Sequence, residues 1–307
     1  MEILRWRKTK LTINASVSSY AHPEVLAERE WLEKNLKNPN IRILEIDYDP
    51  DYAYKQGHIP GAHLIWWKKD INDPIRRDII SKQRFEQLLS NIGATPETEL
   101  VLYGDFNSWF AAFAFWVFQY YGHKKITILD GGRKKWQAEN REFTTEEPPQ
   151  RAPSKYIATP QNEGIRAYLQ DVRRGLERLE ETVLVDVRSP KEFDGKITTA
   201  PEYPTEQAQR GGHIPSAKNI PWGDTVNEDG TFKSFEELQS LYKSKGITPD
   251  KQIITYCRIG ERSAHTWFVL KYLLGYPSVR NYDGSWTEWG NAIGVPIEKS
   301  DTLFWPD

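Results

Sequence analysis

The chain holds a single cysteine, Cys257, and the residues that follow it have the composition of a reaction loop rather than of a core. In Ile253 to Gly275, IITYCRIGERSAHTWFVLKYLLG, a β-branched run ends at Tyr256 and a stretch without apolar periodicity follows. Ala264, Trp267, Phe268, Leu270 and Leu274 then recur at helical spacing up to Gly275. The pattern predicts strand, tight loop and helix, with Cys257 at the end of the strand. Peptide N–H groups of such a loop, with the first unpaired N–H groups of the helix, converge on one small space and favour an anion there. A thiolate at its floor would gain from those amides, from the helix dipole and from Arg258 and Arg262. Its pKa is therefore expected well below the ordinary value of about 8.5. Ile259, Gly260, Glu261 and Ser263 complete the loop. Glu261 works against a purely cationic site and is expected to point away or to pair with an arginine.

Other polar residues are read against that loop. Arg188, in DVRSPKEF, follows an apolar run and should lie on the same sheet edge as Cys257, because parallel sheets collect their ligand loops at the carboxyl ends of the strands. It either binds substrate or forms an ion pair with Asp186 or Glu192. His58 and His213 both sit in GHIP segments, one of them in a half without cysteine, and this favours a structural role. His265, on the helix after the loop, is expected at the surface or behind the site rather than as a base. Cys-x5-Arg phosphatase chemistry would put an arginine six positions after the cysteine. Here that position is Ser263 and Arg262 comes one earlier, a shorter loop suited to a smaller group such as a sulfane sulfur.

The elements that would position these residues occur twice. ILEIDYDPDYA matches VLVDVRSPKEF, GHIPGAHLIWW matches GHIPSAKNIPW, FEQLLSNI matches FEELQSLY, LVLYGDFN matches IITYCRIG, and ITILDGGRKKW matches VRNYDGSWTEW. The offset is 139 between Asp47 and Asp186 and 155 between His58 and His213, which places an insertion in GKITTAPEYPTEQAQR. Matched blocks in one order indicate duplication. Strands alternating with helices predict an α/β fold of two tandem domains, each a mainly parallel sheet flanked by helices. We expect an N-terminal domain over 18–145, a linker rich in Pro, Glu and Thr over 146–162, and a C-terminal catalytic domain over 163–307. Gly104 stands where the second half has Cys257, and Asp49 where it has Arg188, so the first half is expected to be catalytically inactive and to wall the cleft.

The 307 residues exceed what one core normally serves. A net charge of −2 gives no bias toward nucleic acid or an anionic membrane. The longest apolar run, Trp109 to Tyr121, is too short for a span and reads as a buried helix. MEILRWRKTK is not followed by the apolar stretch of a secretory signal, so a cytoplasmic location is expected. One cysteine excludes an internal disulfide and a cysteine-cluster metal site, and no metal or organic cofactor is implied. Oligomeric state is not legible, although a duplicated monomer already supplies its own domain pairing.

Paired GHIPxA segments, DVRSPxEF, the loop CRIGER and YDGSWTEW make the chain resemble the rhodanese family of sulfurtransferases in its tandem form, over about residues 18 to 295. The loop CRIGERS with SAHTWF after it resembles the thiosulfate sulfurtransferase subgroup; mercaptopyruvate sulfurtransferases carry a CGSGVT-like loop. The resemblance implies that Cys257 takes the outer sulfur of thiosulfate, releases sulfite, and passes the sulfur from a persulfide to a thiophilic acceptor, cyanide or a thiol. It also implies a substrate-binding role for Arg188. Vertebrate rhodaneses have a lysine where this chain has Ile259, and Arg258 or Arg262 would replace that cation. Rival expectations are a 3-mercaptopyruvate sulfurtransferase and a non-catalytic rhodanese module for protein interaction or sulfur sensing.

Overall fold

The structure, a computed structural model, describes residues 20–198 and 207–299 and the backbone of 302–304. The polar segment before residue 18 and the middle of the insertion fall outside the described residues. In the first half the chain forms β1 (Leu26–Ala27), α1 (Arg29–Asn35), β2 (Ile41–Asp47), β3 (Ala62–Trp66), α2 (Trp67–Asp70), β4 (Asn72–Asp73) and β5 (Asp78–Ile79). It continues with α3 (Lys82–Asn91), β6 (Glu99–Tyr103), α4 (Trp109–Tyr120), β7 (Ile126–Leu129) and α5 (Gly132–Ala138). The second half runs β8 (Arg166–Ala167), α6 (Leu169–Leu176), β9 (Thr182–Asp186), α7 (Pro190–Phe193), β10 (Lys218–Asn219) and α8 (Phe235–Lys243). It ends with β11 (Gln252–Tyr256), α9 (Glu261–Phe268), β12 (Val279–Tyr282), α10 (Ser285–Trp289), β13 (Ile297–Lys299) and β14 (Thr302–Phe304).

Two five-stranded sheets have one topology, β1-β7-β6-β2-β3 and β8-β12-β11-β9-β10, and every pairing in them is parallel. This is the expected α/β architecture, and the repeat extends to single hydrogen bonds. Tyr103 Oη accepts the Ile59 N–H at 2.9 Å and Tyr256 Oη accepts the Ile214 N–H at 3.1 Å, so each GHIP turn is tied to the end of a central strand. Both GHIP histidines are structural: His58 stacks on Tyr54 with ring centroids 3.7 Å apart, and His213 on Phe193 at 3.5 Å.

The halves share their largest core. α4, apolar on every side, is buried along nearly its whole length, as such a helix must be. It packs on α9 and on the turn that follows it, with Phe115 meeting Phe268 at 5.0 Å and Tyr272 at 5.2 Å between ring centroids. Smaller cores lie on the outer faces, around Ile43, Val101 and Trp136 in the first half and around Leu184, Ile254 and Trp289 in the second. A hydrophobic contact of this kind holds the sheets in a fixed relation. α9 ends at Phe268 and continues as one π turn, Val269–Leu273, before Gly275 closes it at φ +72°. Among the described residues no helix is long and apolar enough to cross a membrane.

Candidate active site

β11 is the central strand of the second sheet, and its run of β-branched residues carries the chain to the sheet edge, where Cys257 follows Tyr256. The loop is held from two sides. The Trp286 N–H donates to the Cys257 carbonyl at 3.0 Å and the Thr287 N–H to the Arg258 carbonyl at 3.0 Å, which ties it to α10. The Cys257 N–H donates to Ser285 Oγ at 3.1 Å. The Gly260 carbonyl accepts from Asn281 Nδ2 and from Ser263 Oγ, each at 3.1 Å. Gly260 caps α9 at φ +103°, and a β-carbon there would lie 2.7 Å from Asp283 Cα; the left-handed backbone and the close approach both require glycine. From this position the Gly260 N–H donates to Cys257 Sγ at 3.2 Å.

Cys257 is fully buried, and Glu261 turns toward it. Sγ lies 3.6 Å from Glu261 Oε2, while Glu261 Oε1 is 3.9 Å from Arg258 Nη2. Burial, and next the Glu261 carboxylate, push the thiol up from its ordinary range; Arg262 and hydrogen bonding from Ser263 act in the other direction and are outweighed. This reverses the expected depression. The loop and its helix N-terminus are present, and of the two placements expected for Glu261 the pairing with an arginine, Arg258, is the one found, but its carboxylate does not point away from the sulfur.

The arginines are placed differently from the expectation as well. Arg188 is buried and grips Asp186, with Nη2 at 2.6 Å from Oδ2 and Nε at 3.0 Å from Oδ1, and its Nη2 also donates to the Gly212 carbonyl at 2.7 Å. It lies over the Trp286 ring at 4.5 Å. Of the two roles expected for it, this geometry is that of the ion pair. Arg262 makes a two-pronged bond to Glu192, 3.1 Å from Nη1 and 3.0 Å from Nη2. Glu192 also caps α7 with Ser189. Burial pushes the Glu192 carboxyl up, but Arg262 above all holds it down at about 2. Ile259 joins the shared core, and Ser263 is fully buried against Asn281, Oγ to Oδ1 at 2.6 Å. His265 is not at the surface: it is fully buried between Trp222 and Phe232, neither ring nitrogen has a hydrogen-bond partner, and burial pulls its pKa to about 3.

Asn281, Asp283 and Ser285 were missed. Asn281 lies near the end of β12 and Asp283 and Ser285 follow it at the same sheet edge, and the carboxyl-end rule applied to NYDGSW would have found them. In the first half the Arg133 N–H donates to the Gly104 carbonyl at 3.1 Å, the counterpart of the Trp286 bond to Cys257. A β-carbon at Gly104 would meet the Ile46 carbonyl at 2.5 Å, so that loop has no room for a cysteine. Among the described residues no cluster of His, Cys, Asp or Glu could hold a metal.

Residues 28–139 and 169–292 each match the rhodanese-like domain. The chain is 54% identical to the sulfur carrier protein TtuD of Thermus thermophilus over 92% of this chain and 99% of that one. It is 50% identical to a protein of Saccharopolyspora erythraea named "Putative thiosulfate sulfurtransferase", over 90% of this chain and 96% of that one. Among solved structures, the anaerobic ergothioneine biosynthesis enzyme from Chlorobium limicola, in complex with trimethyl histidine, aligns at TM-score 0.80 and 25% identity over 91% of this chain and 71% of that one. On sequence and fold together, this chain belongs to the rhodanese-like family, with two copies of the domain in tandem.

Proposed function

We propose that the chain is a thiosulfate sulfurtransferase that moves a sulfane sulfur to a thiophilic acceptor, cyanide or a thiol, through a persulfide on Cys257. The observation that carries this reading is the placement of the lone thiol at the sheet edge, with the Gly260 N–H directed at its sulfur. After the thiol has lost its proton to solvent, the thiolate attacks the outer sulfur of thiosulfate. A bond forms from Sγ to that sulfur, the sulfur–sulfur bond of the donor breaks, and its electron pair leaves with sulfite. The terminal sulfur of the persulfide carries the negative charge near the loop amides. In the second half an acceptor such as cyanide attacks the terminal sulfur, leaves as thiocyanate, and restores the thiolate. The names of the two relatives, "Sulfur carrier protein TtuD" and "Putative thiosulfate sulfurtransferase", support sulfur handling at this site.

In this reading residues 163–307 form the catalytic domain and 18–145 a domain without a nucleophile, joined by 146–162, and the protein works in the cytoplasm, where a lone thiol stays reduced. Arg258 lies buried in the loop next to Cys257, with Nη2 3.9 Å from Glu261 Oε1. Arg188 and Arg262 act behind it by holding Asp186 and Glu192, while Ile259, Gly260, Glu261 and Ser263 shape the loop. Intact mass after thiosulfate treatment tests the proposal: the wild-type chain gains one sulfur atom that cyanide removes as thiocyanate, and Cys257→Ser gains none. A wild-type chain that stays unloaded would leave a non-catalytic rhodanese module. Higher catalytic efficiency with 3-mercaptopyruvate than with thiosulfate would instead make the donor a mercaptocarboxylate.

A further inference from the structure

At the amino-terminal edge of the second sheet, opposite the Cys257 loop, a cavity of about 100 Å³ lies between α6 and the strands. Three arginines and one carboxylate line it: Asp171 and Arg174 from α6, Arg178 just beyond that helix, and Arg280 from β12. Asp171 Oδ1 takes both Arg174 Nη2, at 2.7 Å, and Arg280 Nη1, at 3.1 Å. Its Oδ2 accepts the Tyr168 N–H at 2.9 Å in the cap of α6. Both oxygens are therefore engaged, and one carboxylate answers two guanidiniums. Among the described residues Arg178 forms no ion pair, and neither Glu177 nor Glu181, close to it in sequence, pairs with any of the three arginines. Three guanidiniums against one carboxylate leave two positive charges unmatched around the cavity.

Basic residues in the last turn of a helix answer its dipole, and this accounts for Arg174. It does not account for Arg280, which comes from a strand and is in register with Ile254 of β11. Nor does the fold require the set: in the first half α1 and β7 carry Trp31, Lys34 and Thr127 at the positions of Asp171, Arg174 and Arg280. The walls are fixed. A β-carbon on Gly175 would lie 2.9 Å from Thr182 Cγ2, so glycine lets α6 approach β9 closely. The Arg178 carbonyl accepts the Glu181 N–H at 3.0 Å and the Thr182 N–H at 2.9 Å, which holds its backbone against the start of β9. At about 30 Å³ for a water's share of the liquid, the cavity has the bulk of about three waters, which suits one tetrahedral oxyanion and not a nucleotide.

We propose that this cavity binds one free tetrahedral dianion of the sulfate or phosphate type, held by the guanidiniums of Arg174, Arg178 and Arg280. Guanidinium forks meet such oxyanions with paired, charge-assisted hydrogen bonds. The site is separate from the Cys257 loop: β11 runs from Gln252 to Tyr256 between the two edges, roughly 16 Å at about 3.3 Å per residue. An ion here ties α6 to β12 and stabilises the second half without touching the sulfur. The proposal is independent of whether Cys257 carries sulfur.

The test follows the melting temperature of the full chain as sodium chloride is replaced, at fixed ionic strength, by sodium sulfate, sodium phosphate or phenyl phosphate, in wild type, Arg178→Gln and Arg178→Lys. A ligand bound only by the folded chain raises the melting temperature with a concentration dependence set by its affinity. Sulfate excluded from the surface also stabilises, but alike in wild type and variants, so the readout is the difference between them. Arg178 is exposed, and its replacement should leave the melting temperature in chloride nearly unchanged. The sulfate and phosphate concentrations that give a fixed rise beyond the common effect should increase about tenfold in Arg178→Gln and less in Arg178→Lys. Sulfur loading of Cys257 should stay within about twofold. A rise identical in wild type and Arg178→Gln would overturn the proposal, because it would come from surface exclusion or from an ion at the Cys257 loop. Stabilisation by phenyl phosphate at lower concentration than by inorganic phosphate would overturn the assignment to a free ion.

Discussion

Replacing Glu261 by glutamine should make Cys257 more reactive at neutral pH, although it removes a charged residue from the loop. Glu261 Oε2 lies 3.6 Å from Sγ, and both residues are buried. Two full negative charges at that separation repel by roughly 4 to 5 kcal/mol at an effective dielectric constant of about 20. Arg258 and Arg262 offset part of this. A residual third of it, about 1.4 kcal/mol, is a tenfold change in the proportion of thiolate at fixed pH. Glutamine keeps the shape and removes the charge, so access to the sulfur is unchanged. The sign follows from the cause: the carboxylate pushes the thiol up, its removal lets the thiol ionise at lower pH, and more thiolate is present at pH 7. Alkylation of Cys257 by iodoacetamide, followed by mass across a pH series, should show its midpoint moved toward acid. The rate at pH 7 should rise roughly tenfold, less a modest loss because a less basic thiolate is a weaker nucleophile. A midpoint that stays in place or moves toward alkali would refute the reasoning, because it would mean that the Glu261 charge does not reach the sulfur.

Gly260→Ala should lower the melting temperature, corresponding to about 1 to 3 kcal/mol from backbone strain alone, and should abolish sulfur loading, since its β-carbon would be driven into Asp283. Glu192→Gln should destabilise the fold by about 3 to 5 kcal/mol, read by urea unfolding, because it leaves Arg262 buried without a counter-charge. The same pair sets an acid limit. The Glu192 carboxyl is held down at about 2 in the folded chain, so its stabilisation, about 3 kcal/mol against an ordinary value near 4.3, is complete above that value. It is lost as pH falls toward 2, and the acid limb of the stability curve should flatten in the variant.

The nucleophile, the element it ends and the duplication of the whole arrangement were legible in the chain, because each rests on local periodicity or on blocks matched in order. Strand, loop and helix around Cys257 follow from β-branched residues ending at Tyr256 and apolar residues recurring after Ala264. The apolar wrap of Trp109 to Tyr120 announced a buried helix, though not that its partner would be α9 of the other half. Tertiary structure decided how charge is distributed at the site. Whether Arg188 meets Asp186 or Glu192, and whether Glu261 turns inward, are choices among neighbours two to four positions apart that spacing leaves open; they are settled by what comes from elsewhere in the chain, Arg262 taking Glu192 and Trp286 lying against Arg188. His265 shows the same gap: a histidine at a helical position is buried or exposed according to what packs over it, here Trp222 and Phe232. Arg77 and Asp283 lie far apart in sequence, and only the tertiary fold brings Arg77 Nη1 within 3.3 Å of the Asp283 carbonyl, across the boundary between the two halves.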